Sequence, residues 1–425
     1  MGGKYMKKMS ILLVVLSFLV SFCSFAFAQE AVVLELWNDK PTFSDWFTKL
    51  GEEASKSIGV SVKPVPFADT TTYNAAIRSA LASKEAPDLF TWWSGCWLEE
   101  LVDSGLLEDV TAIWDKYIQS GEVNPDLAAP YTFNGKIYGI PDANDYYVVF
   151  YNKKVFAENN LTPPTTWEEF ISQCETLKNK GVIPLGCSIQ DRWPSIIWFQ
   201  QLVIGKDPDL YRDLTTGKVA FTDPRIKEIM QVWKDLIDKG YFNDPTIPGV
   251  GTTGQSQLAE LFRQGKIAMI LWGDWYDNFI RTEDFQPGED YFVFFLPPLN
   301  PEAPNAVIFE TAPTCIAKNA PNKEASIKFL DWWLSAEGQQ IWHQLYPTIP
   351  SNLKTTVTNP ILEYEIKTVS EGNYQLLTRF WEAIPNAILQ PAVDELDRFM
   401  LDPSTLDQVL SNIEKVAQEY WASQK

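Results

Sequence analysis

From Gln29 onward, short apolar runs alternate with amphipathic stretches, and this alternation restricts the fold more than any other feature of the chain. It is the pattern of parallel sheets whose strands are joined by crossover helices. Val32 to Trp37 reads as a first strand, Phe43 to Ser57 as a helix, Val60 to Val65 as a second strand, Tyr73 to Ser83 as a helix and Asp88 to Thr91 as a third strand. Such a βαβαβ unit places ligands in the crevice at the carboxyl ends of its strands. The unusual residues stand there: Trp37-Asn38-Asp39-Lys40 after the first strand and Trp92-Trp93-Ser94-Gly95 after the third.

A second α/β region follows. Trp97 to Ser104 and Val110 to Ser120 read as helices, and Tyr131 to Ile140 as a strand ending at Pro141. Tyr146 to Asn152 is β-prone, Thr166 to Lys180 is a helix capped by Thr165 or Thr166, Ile183 to Cys187 a strand, and Pro224 to Lys239 a helix capped by Asp223. Gly265 to Trp272 leads into a buried strand. Pro297-Pro298-Leu299-Asn300-Pro301 opens the clearest break, before a strand over Ala306 to Ala317, helices over Asn322 to Leu334 and Glu337 to Tyr346, and a helical region from Ile361 to Lys425.

Export is written at the start. Lys4, Lys7 and Lys8 precede an apolar stretch from Ile11 to Phe22, and Ala26-Phe27-Ala28 supplies a small-x-small cleavage site, so residues 1–28 read as a signal peptide cleaved after Ala28. An uncleaved anchor is disfavoured by the Ser residues and the Ala-x-Ala end, and a lipid anchor on Cys23 by the bulky Phe22 before it. The formal charge of −20 becomes −23 once the three lysines are removed. So acidic a chain repels nucleic acid and anionic headgroups.

A single histidine, His343, leaves little room for zinc or Ser-His chemistry, and no HExxH, GxSxG or GxxxxGK[ST] run occurs, so no cofactor is expected. Gly249-Val250-Gly251-Thr252-Thr253-Gly254 matches a dinucleotide fingerprint by letters, but Asn243-Asp244-Pro245-Thr246-Ile247-Pro248 before it is no central strand, and it reads as a loop. Cys174 and Cys187 are the one pair placed for a disulfide; otherwise the four remaining cysteines read as small buried side chains.

The aromatic content, 17 Trp, 16 Tyr and 25 Phe, exceeds what packing needs and points to exposed rings in a site. In Leu271-Trp272-Gly273-Asp274-Trp275-Tyr276 a glycine turn presents Trp275 at a sheet edge, where a ring can stack on a sugar's C–H face while Asp274 accepts from hydroxyls. Trp272 reads as packing. Trp92 and Trp93 cannot both face one way, and Trp92 is the one expected to line the cleft. Arg192-Trp193, in a loop after a strand, offers a second ring and a donor.

Those features come with a family resemblance. Asn134-Gly135-Lys136-Ile137-Tyr138-Gly139-Ile140-Pro141 leads to Phe150-Tyr151-Asn152-Lys153, then Pro163-Pro164-Thr165-Thr166-Trp167-Glu168-Glu169-Phe170, Phe262-Arg263-Gln264-Gly265-Lys266-Ile267-Ala268-Met269 with Gly273-Asp274-Trp275, and Pro321-Asn322-Lys323-Glu324-Ala325 with Phe329-Leu330. In this order the chain resembles the extracellular solute-binding proteins of bacterial ABC sugar importers, of the maltose-binding-protein type. The resemblance implies an α/β, two-lobed periplasmic-binding-protein fold of type II, each lobe a mostly parallel sheet flanked by helices. It implies an N-terminal lobe of 29–143 and 309–350, a C-terminal lobe of 144–308 and 351–425, and crossings near 141–146, 305–310 and 347–353.

It also implies a carbohydrate ligand, delivery to ABC permease subunits, a monomer, and no catalysis. Carried over residue by residue, Asp39 with Lys40, Trp92, Asp145, Trp275 and Trp381 are the implied ligand contacts, with Phe380 competing for the last. Gly95 stands where the maltose binder has an acid, and Arg192-Trp193 replaces its acid-Pro-aromatic loop, so the hydroxyl pattern differs; Glu310 is the compensating carboxylate. A secreted glycoside hydrolase, needing two carboxylates roughly 5–10 Å apart, and the same fold holding a polyamine or other polar solute are the competing readings.

Overall fold

The computed structural model describes residues 31–190, 192–250 and 256–424. The leader with Cys23 and Ala28, Asp191, and Gly251 to Gly254 of the glycine run lie outside them. Among the described residues no helix is long and apolar enough to cross a membrane.

Eleven strands are described: β1 Val32–Asn38, β2 Val60–Pro66, β3 Leu89–Thr91, β4 Thr132–Phe133, β5 Lys136–Ile137, β6 Ile140–Asn152, β7 Ile183–Gly186, β8 Ile267–Gly273, β9 Tyr291–Phe294, β10 Ala306–Ile316 and β11 Gln375–Thr378. β4 and β5 form a separate hairpin; the other nine make one sheet, ordered β2-β1-β3-β10-β6-β8-β7, with β11 beside β10 and β9 beside β6. β1 pairs in parallel with β2 and β3, β7 with β8, and β10 with β11. Every antiparallel pairing of this sheet involves β6 or β10. These two long strands run side by side from one lobe of the type II fold into the other.

Burial explains why the strands differ. β1 alternates, with Leu34, Leu36 and Asn38 inward and Val33 and Glu35 outward, whereas all 13 residues of β6 and all seven of β8 are buried. The crossover helices Ser44–Ile58, Thr70–Leu81, Trp167–Asn179 and Pro224–Asp238 each turn an apolar stripe to the sheet. Three of them start at side-chain caps: Asp69 accepts from the Thr72 amide at 2.8 Å, Thr166 from Glu169 at 3.2 Å and Asp223 from Arg225 at 2.9 Å. One contiguous core runs through both lobes, and a small second cluster of Tyr146, Val307, Phe309, Ile349 and Leu362 sits where the long strands cross.

Two expectations are corrected here. Tyr131 to Ile140 is not one strand: Pro125–Tyr131 is a 3-10 helix, the β4–β5 hairpin follows, and β6 begins at Ile140 and runs straight through Pro141. Pro141 is tolerated because it faces Pro313 at a register shift, where no ladder amide is required of either residue. The C-terminal region is not helical throughout, since β11 and the short helix Phe380–Ala383 stand between helices Pro360–Glu371 and Asn386–Leu401. All four cysteines beyond the leader are free thiols, Cys174 and Cys187 included.

Candidate functional site

The ends of β1 and β3 deliver the first group of side chains. Trp37 is half-buried with its ring centroid 5.3 Å from that of Phe67, and Asn38 is buried with its side-chain oxygen accepting from the Lys40 amide at 3.1 Å. The Thr70 hydroxyl donates to Asp39 at 3.3 Å. This turn aims the Lys40 ammonium along the strand ends to the Asp142 carboxylate, 3.8 Å away. After β3 the two tryptophans take opposite roles from those expected. Trp92 is only 2% exposed and its Nε1 donates to the Trp97 carbonyl at 3.0 Å, so it is a packing ring. Trp93 is the half-exposed one, 5.1 Å from Trp97.

The crossing strands deliver the second group. Asp145 on β6 lies directly opposite Glu310 on β10. Glu310 is the hub: its Oε2 accepts from the Tyr147 hydroxyl at 2.9 Å and from Trp275 Nε1 at 3.1 Å, and its Oε1 lies 2.6 Å from Arg379 Nη1. Arg379, 8% exposed, also donates through Nε to Glu382 at 2.9 Å, with Nη2 closing the fork on the same carboxylate, and stacks 6.0 Å from the Trp193 ring. Trp193 lies 5.9 Å from Trp275. Trp272 is buried against Tyr276 at 4.7 Å, as a packing residue should be.

The turn after β8 explains Gly273. Its φ of −64° suits any residue, but a Cβ there would stand 2.5 Å from Trp275 Nε1, so the glycine makes room for the ring lying over it. Gly95 has a different reason. At φ +59° it occupies the left-handed region, and a Cβ would fall 2.3 Å from the Glu382 carbonyl oxygen. Around it Trp97 Nε1 donates to the Trp381 carbonyl at 3.1 Å, and the Trp97 and Trp381 rings are parallel at 6.4 Å. Helix Phe380–Ala383 is therefore seated on the start of helix Cys96–Asp103. Of the competing rings, Phe380 is fully buried against Phe199 at 5.4 Å, and Trp381 is the half-exposed one.

Arg192 does not join this group. It is exposed and its guanidinium is held by Asp394, whose Oδ1 accepts from Nε at 3.0 Å, while its neighbour Trp193 turns inward. The guanidinium beside the rings is that of Arg379.

Behind the site lies a cluster of carboxyl groups without a cation among them. Asp274 is in hydrogen-bond contact with both Asp145 and Glu365, and all three side chains are buried. Asp274 Oδ2 also accepts from the Tyr146 amide at 3.2 Å and Asp145 Oδ1 from the Thr348 hydroxyl at 3.1 Å. Burial first, and the neighbouring carboxylates second, push Asp145 and Asp274 well above the ordinary carboxylate range, and burial does the same to Glu365. Asp142 is raised to about 6 by burial, against the opposing pull of Lys40. For Lys40 the cost of burial is outweighed by Asp142, Asp39, Glu310 and Asp145, and its ammonium is held above the ordinary value.

Sequence reading missed Arg379, Glu382, Tyr147, Asp142 and Glu365. The first two carried a local signal: Arg379-Phe380-Trp381-Glu382 is a cation and an acid three residues apart bracketing two rings. His343 is buried and its Nδ1 bonds the Thr348 carbonyl at 2.8 Å. Among the described residues no group of three or more His, Cys, Asp or Glu is arranged to hold a metal ion. A groove of about 690 Å³ between Arg281, Pro287, His343 and Asn359 lies away from these rings; one of about 460 Å³ opens beside them, between Gly95 and Cys96 on one side and Tyr211, Leu377 and Glu382 on the other.

Comparisons with known proteins converge. Residues 48–364 match the family model described as a bacterial extracellular solute-binding protein. An uncharacterised ABC transporter extracellular-binding protein of Pyrococcus horikoshii is 22% identical over 372 residues, 85% of this chain and 81% of that one. The maltotriose-binding protein of Pyrococcus abyssi is 22% identical over 333 residues, 74% of this chain and 64% of that one. Among solved structures, a bacterial solute receptor with an exclusive preference for β-D-galactopyranose superposes with a TM-score of 0.78 at 20% identity, covering 91% of this chain and 99% of its own. A chitin oligosaccharide binding protein gives the same TM-score and identity over 92% of this chain and 100% of its own.

Proposed function

The chain belongs to the bacterial extracellular solute-binding proteins, and on that premise we propose that it captures a carbohydrate, a di- or oligosaccharide, between its two lobes and delivers it to the membrane permease of an ABC importer. The observation that carries this reading is the meeting of two half-buried rings, Trp193 and Trp275, 5.9 Å apart, with a carboxylate, Glu310, that the Trp275 N–H bonds at 3.1 Å. Rings supply apolar faces for the C–H side of a pyranose, and fixed acceptors read its hydroxyls. Rejection of wrong isomers follows because a buried acceptor left unpaired costs about 1–3 kcal/mol.

Asp39, Lys40 and Trp93 approach from the ends of β1 and β3, and Trp193, Trp275 and Trp381 from the facing side, with Asp274 buried behind them. Ligand that touches both sets favours the closed arrangement over the open one. The lobes divide as 29–143 with 309–350 and 144–308 with 351–425, bending where β6, β10 and the segment near 347–353 cross. The exported chain works as a monomer, cleaved after Ala28, without a lipid on Cys23.

The protein is a receptor and not an enzyme. A hydrolase reading would use Asp274 with either Asp145 or Glu310; the first pair touch each other, whereas flanking a glycosidic bond takes roughly 5–10 Å between carboxyls. Intrinsic tryptophan fluorescence and melting temperature of refolded, ligand-stripped mature protein against mono-, di- and oligosaccharides, with polyamines and dipeptides as controls, test the reading. A saturable response to one sugar class, with the sugar recovered intact, is expected. Response to polyamines alone overturns the ligand assignment, and consumption of the sugar overturns the receptor.

A further inference from the structure

Selectivity for charge is built into the same site, and the argument for it rests on the carbohydrate reading above. Among the described residues three cations stand near the rings, Lys40, Arg379 and Arg78, the last lying 5.7 Å over Trp92 and paired with Glu100, and each faces a carboxylate. Arg379 spends Nε and Nη2 on Glu382, at 2.9 and 2.5 Å, and Nη1 on Glu310 at 2.6 Å, so its fork is closed by two carboxylates. Lys40 sits 3.8 Å from Asp142, and Asp39, Glu310 and Asp145 all act on its charge. The remaining guanidinium of this region, that of Arg192, is turned out to Asp394.

Donors near the rings are therefore neutral ones or already engaged. The Trp275 N–H and the Tyr147 hydroxyl both point to Glu310, and Thr70 donates to Asp39. Behind them the buried carboxyl groups of Asp145, Asp274 and Glu365 lie together with no cation among them. Asp39, Asp142, Glu310 and Glu382 thus set four acidic groups against Lys40 and Arg379. A carboxylate or phosphate on the ligand would meet like charge at short range, with each Lys and Arg there already facing a carboxylate. A hydroxyl meets acceptors, which is what it needs.

We infer that this site takes uncharged sugars and rejects those carrying a carboxylate or phosphate, with Glu310 and Glu382 as the specificity-determining residues that keep Arg379 from serving as an anion receptor. Specificity of this kind comes from penalising the wrong ligand while leaving contacts to the right one intact.

The test is a fluorescence or calorimetric titration of the mature protein at pH 7.5 with neutral di- and trisaccharides, the same sugars oxidised at one C6 to the uronate, and the methyl ester of each uronate. The uronates are expected to bind at least a hundredfold more weakly than their parents, and the methyl esters, uncharged though larger by a methyl group, within tenfold of the parents. Glu382→Gln, which leaves Arg379 one carboxylate short, narrows the ratio of parent to uronate at least fivefold. A uronate that binds within tenfold of its parent overturns the inference, as does a methyl ester as weak as its uronate, which would make shape the cause. Silence with every sugar, neutral and acidic, overturns the carbohydrate reading and this inference with it.

Discussion

Replacing Trp275 with Ala removes the ring on which the proposed stacking depends. An aromatic side chain buries about 150–250 Å² in all. One face of the ring, about a third of that, corresponds to ~60 Å², or ~1.5 kcal/mol at ~25 cal/mol/Å². Ring-face geometry adds about 0.5–1.5 kcal/mol. The total, ~2–3 kcal/mol, is about a thirtyfold to hundredfold loss of affinity, since 1.4 kcal/mol is tenfold. Trp193, Trp272, Tyr276 and Phe279 already cover part of the ring, so tenfold is the lower bound. The fold should survive. Glu310 loses one donor but keeps Tyr147 and Arg379, at a cost of about 1 kcal/mol, and the truncated side chain is half-buried at the end of a strand rather than in the core. Titration of whichever sugar the panel identifies, beside a thermal melt of the same preparation, reads both numbers. Affinity within threefold of wild type, with the melt unchanged, would refute the stacking role; Trp275→Phe, which keeps a ring and loses only the N–H to Glu310, should fall between the two.

Other predictions follow from the same geometry. Gly273→Ala is accepted by the backbone but drives a methyl group into Trp275, and it should weaken binding at least tenfold with little change in urea midpoint; wild-type affinity would show that the ring position does not matter. Arg379→Met leaves the buried Glu382 and the half-buried Glu310 without their cation and should cost about 3–5 kcal/mol in urea unfolding, part of which Glu382→Gln in the same background recovers. The pH dependence has a definite sign. Asp142 is at about 6 in the folded protein against 3.8 unfolded, so the folded state holds the proton more tightly and stability falls as pH rises between those values. The stability of wild type minus that of Asp142→Asn should therefore decrease by ~2.4 kcal/mol from pH 4 to 7, most of the ~3 kcal/mol that the whole shift carries at 1.36 kcal/mol per pKa unit. A flat or rising difference would show that Asp142 is not held in that way.

Strand and helix order was legible because each element carries its own period. β1, β2 and β3 and the helices between them lie within three residues of where alternation and helical spacing put them. Helix Ile196–Lys206 was not legible, being buried on all sides from Ile196 to Ile204, so that it has no stripe to find. β11 escaped because four residues, Gln-Leu-Leu-Thr, become a strand only by pairing with β10. In the site, Trp275 and Glu310 could be singled out one by one from their local setting, but the choice between Trp92 and Trp93 turned on a hydrogen bond to Trp97 that no local pattern encodes. Arg379 had a local signal in Glu382, three residues on, but its second partner, Glu310, comes from β10, and no local pattern joins the two.

Asp145 and Glu310 face each other halfway along the two strands that pass between the lobes. In a body that bends, points near the axis sweep short arcs and points far from it long ones. The carboxylates thus sit close to the pivot, and the groups that reach across farther out, such as Trp97 and Trp381, ride at the ends of lever arms. A bound molecule anchored at the pivot would be held in nearly the same place whether the jaws stand open or shut. On the proposed reading the outer rings act as the latch, and capture at the axle precedes grip at the rim.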